Sequence, residues 1–229
     1  MPIKTARQNV DIANKLSSKD LLRLSNSNPD EGSDGHDDEY SILTSKGQSF
    51  NCKAYQSQEL EEHDRKMMMT IFEENMRTMY EETPGGWDAQ SKKEELFDNL
   101  SRFFIIRQAN QDNAAIIAFI MWRFDLEDCD ANDPVARKGK RKIEIAYCYE
   151  IQVHSDFRQY GLGKWMMNRL EAVARNTNMR KVMLTVFKSN THAKQFYDRL
   201  GFKLEYSTPE NEDELDELGE YVILGKATM

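Results

Sequence analysis

Apolar positions recur along this chain at two periods, one near that of a helix and one near that of a strand. Over residues 4–24, Val10, Ala13, Leu16 and Leu21 fall roughly on one helical face. Residues 58–82 predict a long helix, with Met68, Phe72, Met76 and Met79 repeated on one side. The run Met67-Met68-Met69 reads as packing, because methionine fills irregular gaps in a core. "TPGGW" then breaks the chain, and Ser91 with Glu94 forms a capping box that opens a short helix through Leu100. A short strand is predicted around Phe50–Tyr55, and two β-rich runs, "RFFIIRQA" and "AAIIAFIMWRF", pair as a hairpin across "NQDN". After a charged loop over 125–142 the pattern alternates. A strand "IEIAYCYEIQV" leads to a helix over Lys164–Thr177, a strand "RKVMLTVF" and a helix over Thr191–Leu200. A short strand, an acidic loop and a last strand "EYVIL" close the chain. No internal repeat interrupts this order, which is that of a mixed α/β class built on one sheet.

Length and composition narrow the picture. The chain has 229 residues, enough for one large domain or one domain with decorated ends. The segment "SNSNPDEGSDGHDDEYS" is acidic and poor in apolar residues, and is expected to be a mobile loop. Net charge is −8, which favours a cationic partner over direct contact with nucleic acid. No apolar run has membrane-spanning length and no signal-peptide core is present, so a soluble protein inside the cell is expected. Cys52, Cys129 and Cys148 are odd in number and lack metal spacing, which points to a reducing compartment. His36, His63, His154 and His192 also lack ligand spacing, so no metal is expected and they read as surface groups. The basic cluster "RKGKRK" reads either as a nuclear-localisation signal or as a solvated hairpin tip.

The candidate chemistry begins at "FRQYGLGKWMMNRL", residues 157–170. Two glycines one residue apart, between a strand and a helix, let successive amides turn inward beside the positive end of the helix. The nucleotide template G-x-x-x-x-G-K-[ST] fails here, and the dinucleotide template fails because Met166 stands where a third glycine is needed. The turn therefore suits a pyrophosphate of another kind, though a plain strand-to-helix turn would use glycine too. Downstream lies "NTHAKQFYDRLGF", with Asn190, Ala193, Tyr197, Gly201 and Phe202 in the pattern N-x-x-A-x-x-x-Y-x-x-x-G-F. Together with the order of elements, these two motifs resemble the GNAT acyltransferase superfamily. The resemblance implies the GNAT fold, an α+β arrangement of a mixed central sheet flanked by helices. It also implies acetyl-CoA as cofactor.

"YCYEIQV", "KVMLTVFKSN", "NMRTMYEE", "WRFDLE" and "VDIANKL" resemble one branch more closely, the NatD-type histone N-terminal acetyltransferases, over roughly residues 9–224. That resemblance implies a catalytic domain over 47–229 preceded by a helical segment and acidic loop over 1–46. It implies acetyl transfer to the α-amine of histone tails beginning Ser-Gly-Arg-Gly, in nucleus and cytoplasm, without an auxiliary subunit. Glu150 matches the family's catalytic glutamate, with Tyr149 beside it. Ile151, Gln152 and Val153 would hold acetyl-CoA through backbone groups, joined by Arg158, Gln159, Tyr160, Gly161, Leu162, Gly163, Lys164 and Asn190. Tyr197 would either protonate the leaving thiolate or serve packing and coenzyme binding. The implied peptide site comprises Tyr80, Trp87, Asp125, Tyr147, Tyr149, Thr185, Ser207 and Tyr221. "TPGGW" departs from relatives that carry an extra aromatic there, leaving Trp87 alone in that loop.

The residues also make chemical sense by themselves. An α-amine with a pKa near ~8 is mostly protonated at neutral pH, so transfer needs a base. Glu150 is placed to take that proton, and a strand-end amide after it to support the acetyl carbonyl. Asp125 would pair with the tail arginine. The carboxylates of "PENEDELDELGE" read either as long-range attraction or as a plain solvated loop. In a regular strand Tyr147 and Tyr149 face one side and Glu150 the other, so all three serve one site only if the strand is irregular. Cys148 lies mid-strand without a paired histidine and is a poor nucleophile. Two alternatives stay open: a lysine side-chain acetyltransferase, and an inactive acidic module that binds histones.

Overall fold

The computed structural model describes residues 5–26, 39–44, 46–109, 114–205 and 219–228. Helices α1 (Ala6–Ala13), α2 (Ser18–Leu24), α3 (Glu62–Glu81), α4 (Ala89–Leu96), α5 (Leu162–Asn176) and α6 (Thr191–Arg199) accompany eight strands. These are β1 (Tyr40–Leu43), β2 (Ser49–Gln56), β3 (Arg102–Gln108), β4 (Ile116–Asp128), β5 (Lys142–Val153), β6 (Lys181–Phe187), β7 (Lys203–Leu204) and β8 (Tyr221–Ala227). The strand order is β1-β2-β3-β4-β5-β6-β8-β7 in one mixed sheet, antiparallel among β1 to β4 and parallel between β5 and β6. This is the expected α/β class, a mixed sheet accompanied by helices.

Contacts divide the chain into two units, each with its own core. One comprises residues 16–123 and 149–173. Here β3 and β4 turn Phe103, Ile105, Phe119 and Met121 to one face. Met68, Ile71 and Phe72 of α3 and Leu96 of α4 cover that face. The first half of the predicted α3 face, Met68 and Phe72, is thus core, with Met67, Met69 and Met76 packed at its edge, while Met79 is only partly buried and lies outside this cluster. The other unit comprises 1–15, 124–148 and 174–229. Val135, Ile143, Ile145 and Met183 form a cluster there. A buried network gathers Glu144 with Asn9 of α1 (2.7 Å) and Arg137. Lys181 bridges Asp133 and Glu205, and all three are buried.

Local chemistry revises several boundaries. The helix expected over 4–24 is two helices, because Thr5 with Gln8 and Ser17 with Asp20 each form a capping box of their own. Asp88, not Ser91, caps α4: its side chain accepts the Ser91 amide at 3.0 Å, which makes Ser91 the third helical residue. That helix stops at Leu96, and the chain folds into a turn in which Asp98 accepts from the Leu100 and Ser101 amides. The charged segment expected as loop over 125–142 begins instead as strand, since β4 runs to Asp128. The "NQDN" turn, most of the acidic segment 25–41 and most of "PENEDELDELGE" lie outside the described residues, as do Ser207 and His36.

Candidate active site

In the first unit, α3 and the loop after it build an aromatic wall. Phe72 is buried, with the Tyr80 and Trp87 rings 6.0 and 5.5 Å away, and those two lie 5.9 Å apart. Gly86 has φ +66°, a left-handed turn conformation that glycine adopts without penalty and that brings Trp87 back to α3. Lys92 of α4 stands 4.5 Å above the Tyr80 ring and 3.2 Å from Glu95. Burial alone would lower the Lys92 ammonium. Its bond with Tyr80 and the carboxylates of Glu95 and Glu150 hold it above its ordinary range instead. Arg123 of β4 donates to the Glu95 carbonyl and lies 4.5 Å over the Tyr149 ring.

Glu150 sits among these groups. Burial pushes its carboxyl up to about 7, with Glu95 acting in the same direction. Lys92 and a hydrogen bond from Gln152 Nε2 at 2.9 Å oppose the rise. Tyr80's phenol is raised by burial first and then by the Glu150 charge. Tyr149 packs on the α3–α4 cluster while its neighbour Glu150 responds to Lys92 and Glu95 of α4. Regular alternation along β5 turns adjacent residues to opposite faces, and the charges of α4 reach Glu150 through space while Tyr149 packs on the cluster directly.

The glycine turn follows the end of β5. His154 donates its amide to the Ile117 carbonyl at 2.8 Å, and a short 3₁₀ turn over Ser155–Phe157 leads out. Gln159 (φ 65°) and Gly161 (φ 82°) are left-handed on either side of Tyr160, and α5 begins at Leu162. The Phe157 and Tyr160 rings each stand edge-on to Phe50 at 6.0 Å, which braces the turn. A Cβ placed on Gly161 would meet nothing within 4 Å, so the space before the turn is open. The first amides of α5, among them those of Leu162, Gly163 and Lys164, have no acceptor inside the helix. Open space, inward amides and a helix start fit the pyrophosphate of a coenzyme. The Val153 carbonyl accepts from Asn75 at 3.1 Å.

In the second unit, register places Tyr147, Thr185, Tyr221 and Ile223 on one sheet face: Tyr147 pairs Met183, Thr185 pairs Ile223, and Phe187 pairs Tyr221. The Tyr147 and Thr185 hydroxyls are hydrogen bonded, and Tyr221 is 50% exposed. Asp125 is exposed, its carboxylate accepting the Leu126 amide at 2.7 Å. Asn190 caps α6 through the Ala193 amide at 3.1 Å. Tyr197 is buried against Phe202, ring centroids 5.9 Å apart. Expected residues therefore gather in two groups, Tyr80, Trp87, Tyr149 and Glu150 in one unit and Tyr147, Thr185 and Tyr221 in the other. Lys92, Glu95, Arg123 and Asn75 carry no local signal in the sequence, where "SKKEEL" has the pattern of a solvated helix face with no sign of an inward lysine.

A stretch of 67 residues is 37% identical to N-alpha-acetyltransferase 40 of Saccharomyces cerevisiae, covering 26% of this chain and 24% of that protein. The chain spans about a quarter of the length of the curated relatives it matches. Among solved structures, a chain of the NatC complex bound to Gag peptide and CoA superposes with TM-score 0.52. It is 14% identical, with 78% of this chain and 98% of that one covered. Arabidopsis thaliana NAA60 in complex with a bisubstrate analogue gives TM-score 0.52 at 12% identity, covering 77% and 97%. At such identities these structures speak for the fold. Residues 66–202, more than half of the chain and including both the glycine turn and Glu150, match the acetyltransferase (GNAT) family, and the chain belongs to it, with acetyl-CoA as its cofactor.

Proposed function

We propose that this protein is an N-alpha-acetyltransferase that moves acetyl from acetyl-CoA to the N-terminal serine of histone-type tails beginning Ser-Gly-Arg-Gly. The observation that carries the reading is Glu150: a carboxyl pushed up to about 7, beside an aromatic wall. Such a group takes a proton at neutral pH and is matched to an α-ammonium near ~8. In the reaction the α-ammonium gives one proton to Glu150, directly or through a water. The neutral nitrogen attacks the thioester carbonyl carbon, the C–N bond forms, the C–S bond breaks, and the coenzyme leaves as a thiolate that takes up the second proton shed by the new amide nitrogen. The α5 amides and Arg158 hold the coenzyme's phosphates. Tyr80 and Trp87 enclose the small first residues of the tail. The likeness to a yeast N-alpha-acetyltransferase supports the choice of an α-amine over a lysine side chain.

The test is mass spectrometry of two peptides incubated with protein and acetyl-CoA. One is a free Ser-Gly-Arg-Gly tail, and the other is the same tail with a blocked α-amine and free lysines. Acetylation of the first alone is expected. Turnover of the second at a comparable rate assigns the chain to lysine side chains. Binding of acetyl-CoA with no transfer to either peptide leaves only a binding module.

A further inference from the structure

Resting on that reading of Glu150, we propose that Asn75 is a positioning residue for the transfer reaction. It sets the direction of a hydrogen-bond relay that runs from Arg158 in the glycine turn to the Glu150 carboxylate. Arg158, Asn75, Gln152 and Glu150 are joined in series. The Arg158 guanidinium donates to Asn75 Oδ1. Asn75 Nδ2 donates to Gln152 Oε1 at 2.9 Å and to the Val153 carbonyl at 3.1 Å. Gln152 Nε2 donates to Glu150 Oε2 at 2.9 Å.

The sense of the relay follows from its far end. A guanidinium has donors and no acceptor, so only the oxygen of Asn75 can face Arg158. The Asn75 nitrogen must then face Gln152, and it finds two acceptors there. That orients the second amide in turn: its oxygen is engaged by Asn75 and its nitrogen is left for the carboxylate. Were Gln152 reversed, an oxygen would face Glu150, and two acceptors would repel at the position where the base must be ionised. Other groups bear on Glu150 as well, namely Tyr80 from α3 and Lys92 and Glu95 from α4, with Arg123 of β4 engaged on the Glu95 carbonyl. Of these, Lys92 favours the charged carboxylate and Glu95 opposes it. Gln152 supplies the directed hydrogen bond, and Asn75 decides which end of Gln152 delivers it.

The experiment is a ¹³C-carboxyl NMR titration of Glu150, assigned through Glu150→Gln, in wild type, Asn75→Ala and Asn75→Asp. The pH profile of kcat/KM is measured alongside. Asn75→Ala should raise the Glu150 midpoint by about one pH unit, the equivalent of one hydrogen bond to a charged group. Its activity at neutral pH should fall and return at higher pH. Asn75→Asp keeps the helix and the Arg158 contact, so it serves if the alanine variant does not fold. It should raise the midpoint further, because it draws the Gln152 nitrogen to itself and adds a like charge. An unmoved midpoint in both variants, or a loss of kcat equal at every pH, overturns the proposal. If wild type transfers acetyl to no tail peptide, the functional reading falls while the titration still decides the relay.

Discussion

Glu150 carries two opposed consequences of one environment. A carboxyl raised to about 7 is a usable base, and it is also a group that the folded state prefers protonated. Below the ordinary carboxylate range both folded and unfolded states hold the proton, and the group costs nothing. As pH rises toward 7 the unfolded chain ionises first, so stability from this group is lost across that window and the loss is complete above it. The amide in Glu150→Gln keeps the shape and has no charge to bury. It should unfold at higher denaturant than wild type at pH 8, by about 1–3 kcal/mol, with the gap closing toward pH 4. The same substitution should lower kcat by about 10²–10⁴ at neutral pH while leaving acetyl-CoA binding intact. Urea unfolding at the two pH values and calorimetric titration with acetyl-CoA check both halves. A Gln variant that is less stable at pH 8, or fully active, removes Glu150 from this role.

At the level of elements, a glycine inside a strand and a glycine at a strand–helix junction respond differently to an added methyl group. Gly225 of β8 pairs with Lys203 and Met183, and a Cβ there would lie 1.6 Å from Glu205 Oε1 and 2.8 Å from its Cδ. Gly225→Ala must therefore drive Glu205 off Lys181, in a buried network that also holds Asp133. Such a loss costs about 3 kcal/mol, as when one partner of a buried ion pair is removed. Gly161→Ala meets no atom and incurs only the left-handed backbone, about 1 kcal/mol. Urea midpoints should rank wild type above Gly161→Ala and Gly161→Ala well above Gly225→Ala, and the reverse order contradicts the geometry. The elements themselves were readable because period and turn residues are local: β5, α5, β6 and α6 fall within two residues of their expected bounds. Boundaries drifted where two local rules compete, as with Asp88 and Ser91, both able to cap one helix. They drifted too where a strand leaves the core, as β4 does beyond Phe124, where three of its last four residues are acidic and none is buried. The glycine turn was legible from its motif, and Glu150 stood out only through the resemblance that "YCYEIQV" carries. The Asn75–Gln152 contact spans 77 residues, and Lys92 turns inward from a helix whose sequence is polar, so neither left a periodic trace.

Across the whole molecule the decisive quantity is charge. A net charge of −8 favours approach of a basic tail and opposes approach of acetyl-CoA, itself an anion. The basic cluster does little to offset this, because Arg137 is held by Glu144 and Lys142 lies 3.7 Å from Asp128, leaving Lys138, Lys140 and Arg141 exposed. If attraction to the tail operates at long range, it belongs to encounter rather than to chemistry, and salt separates the two. Raising ionic strength from about 0.05 M to about 0.5 M shortens the screening length from beyond 10 Å to a few ångströms. Over that range kcat/KM for a Ser-Gly-Arg-Gly tail rich in lysine should fall several-fold, while kcat at saturating peptide stays level. A Ser-Gly-Gly-Gly peptide, whose α-ammonium is its one cation, should show a much flatter response, and the KM for acetyl-CoA should not rise. Equal salt slopes for the two peptides would show that the acidic surface contributes nothing to capture of the basic side chains. Recognition of the tail would then rest on short-range contacts such as those offered by Tyr80 and Trp87.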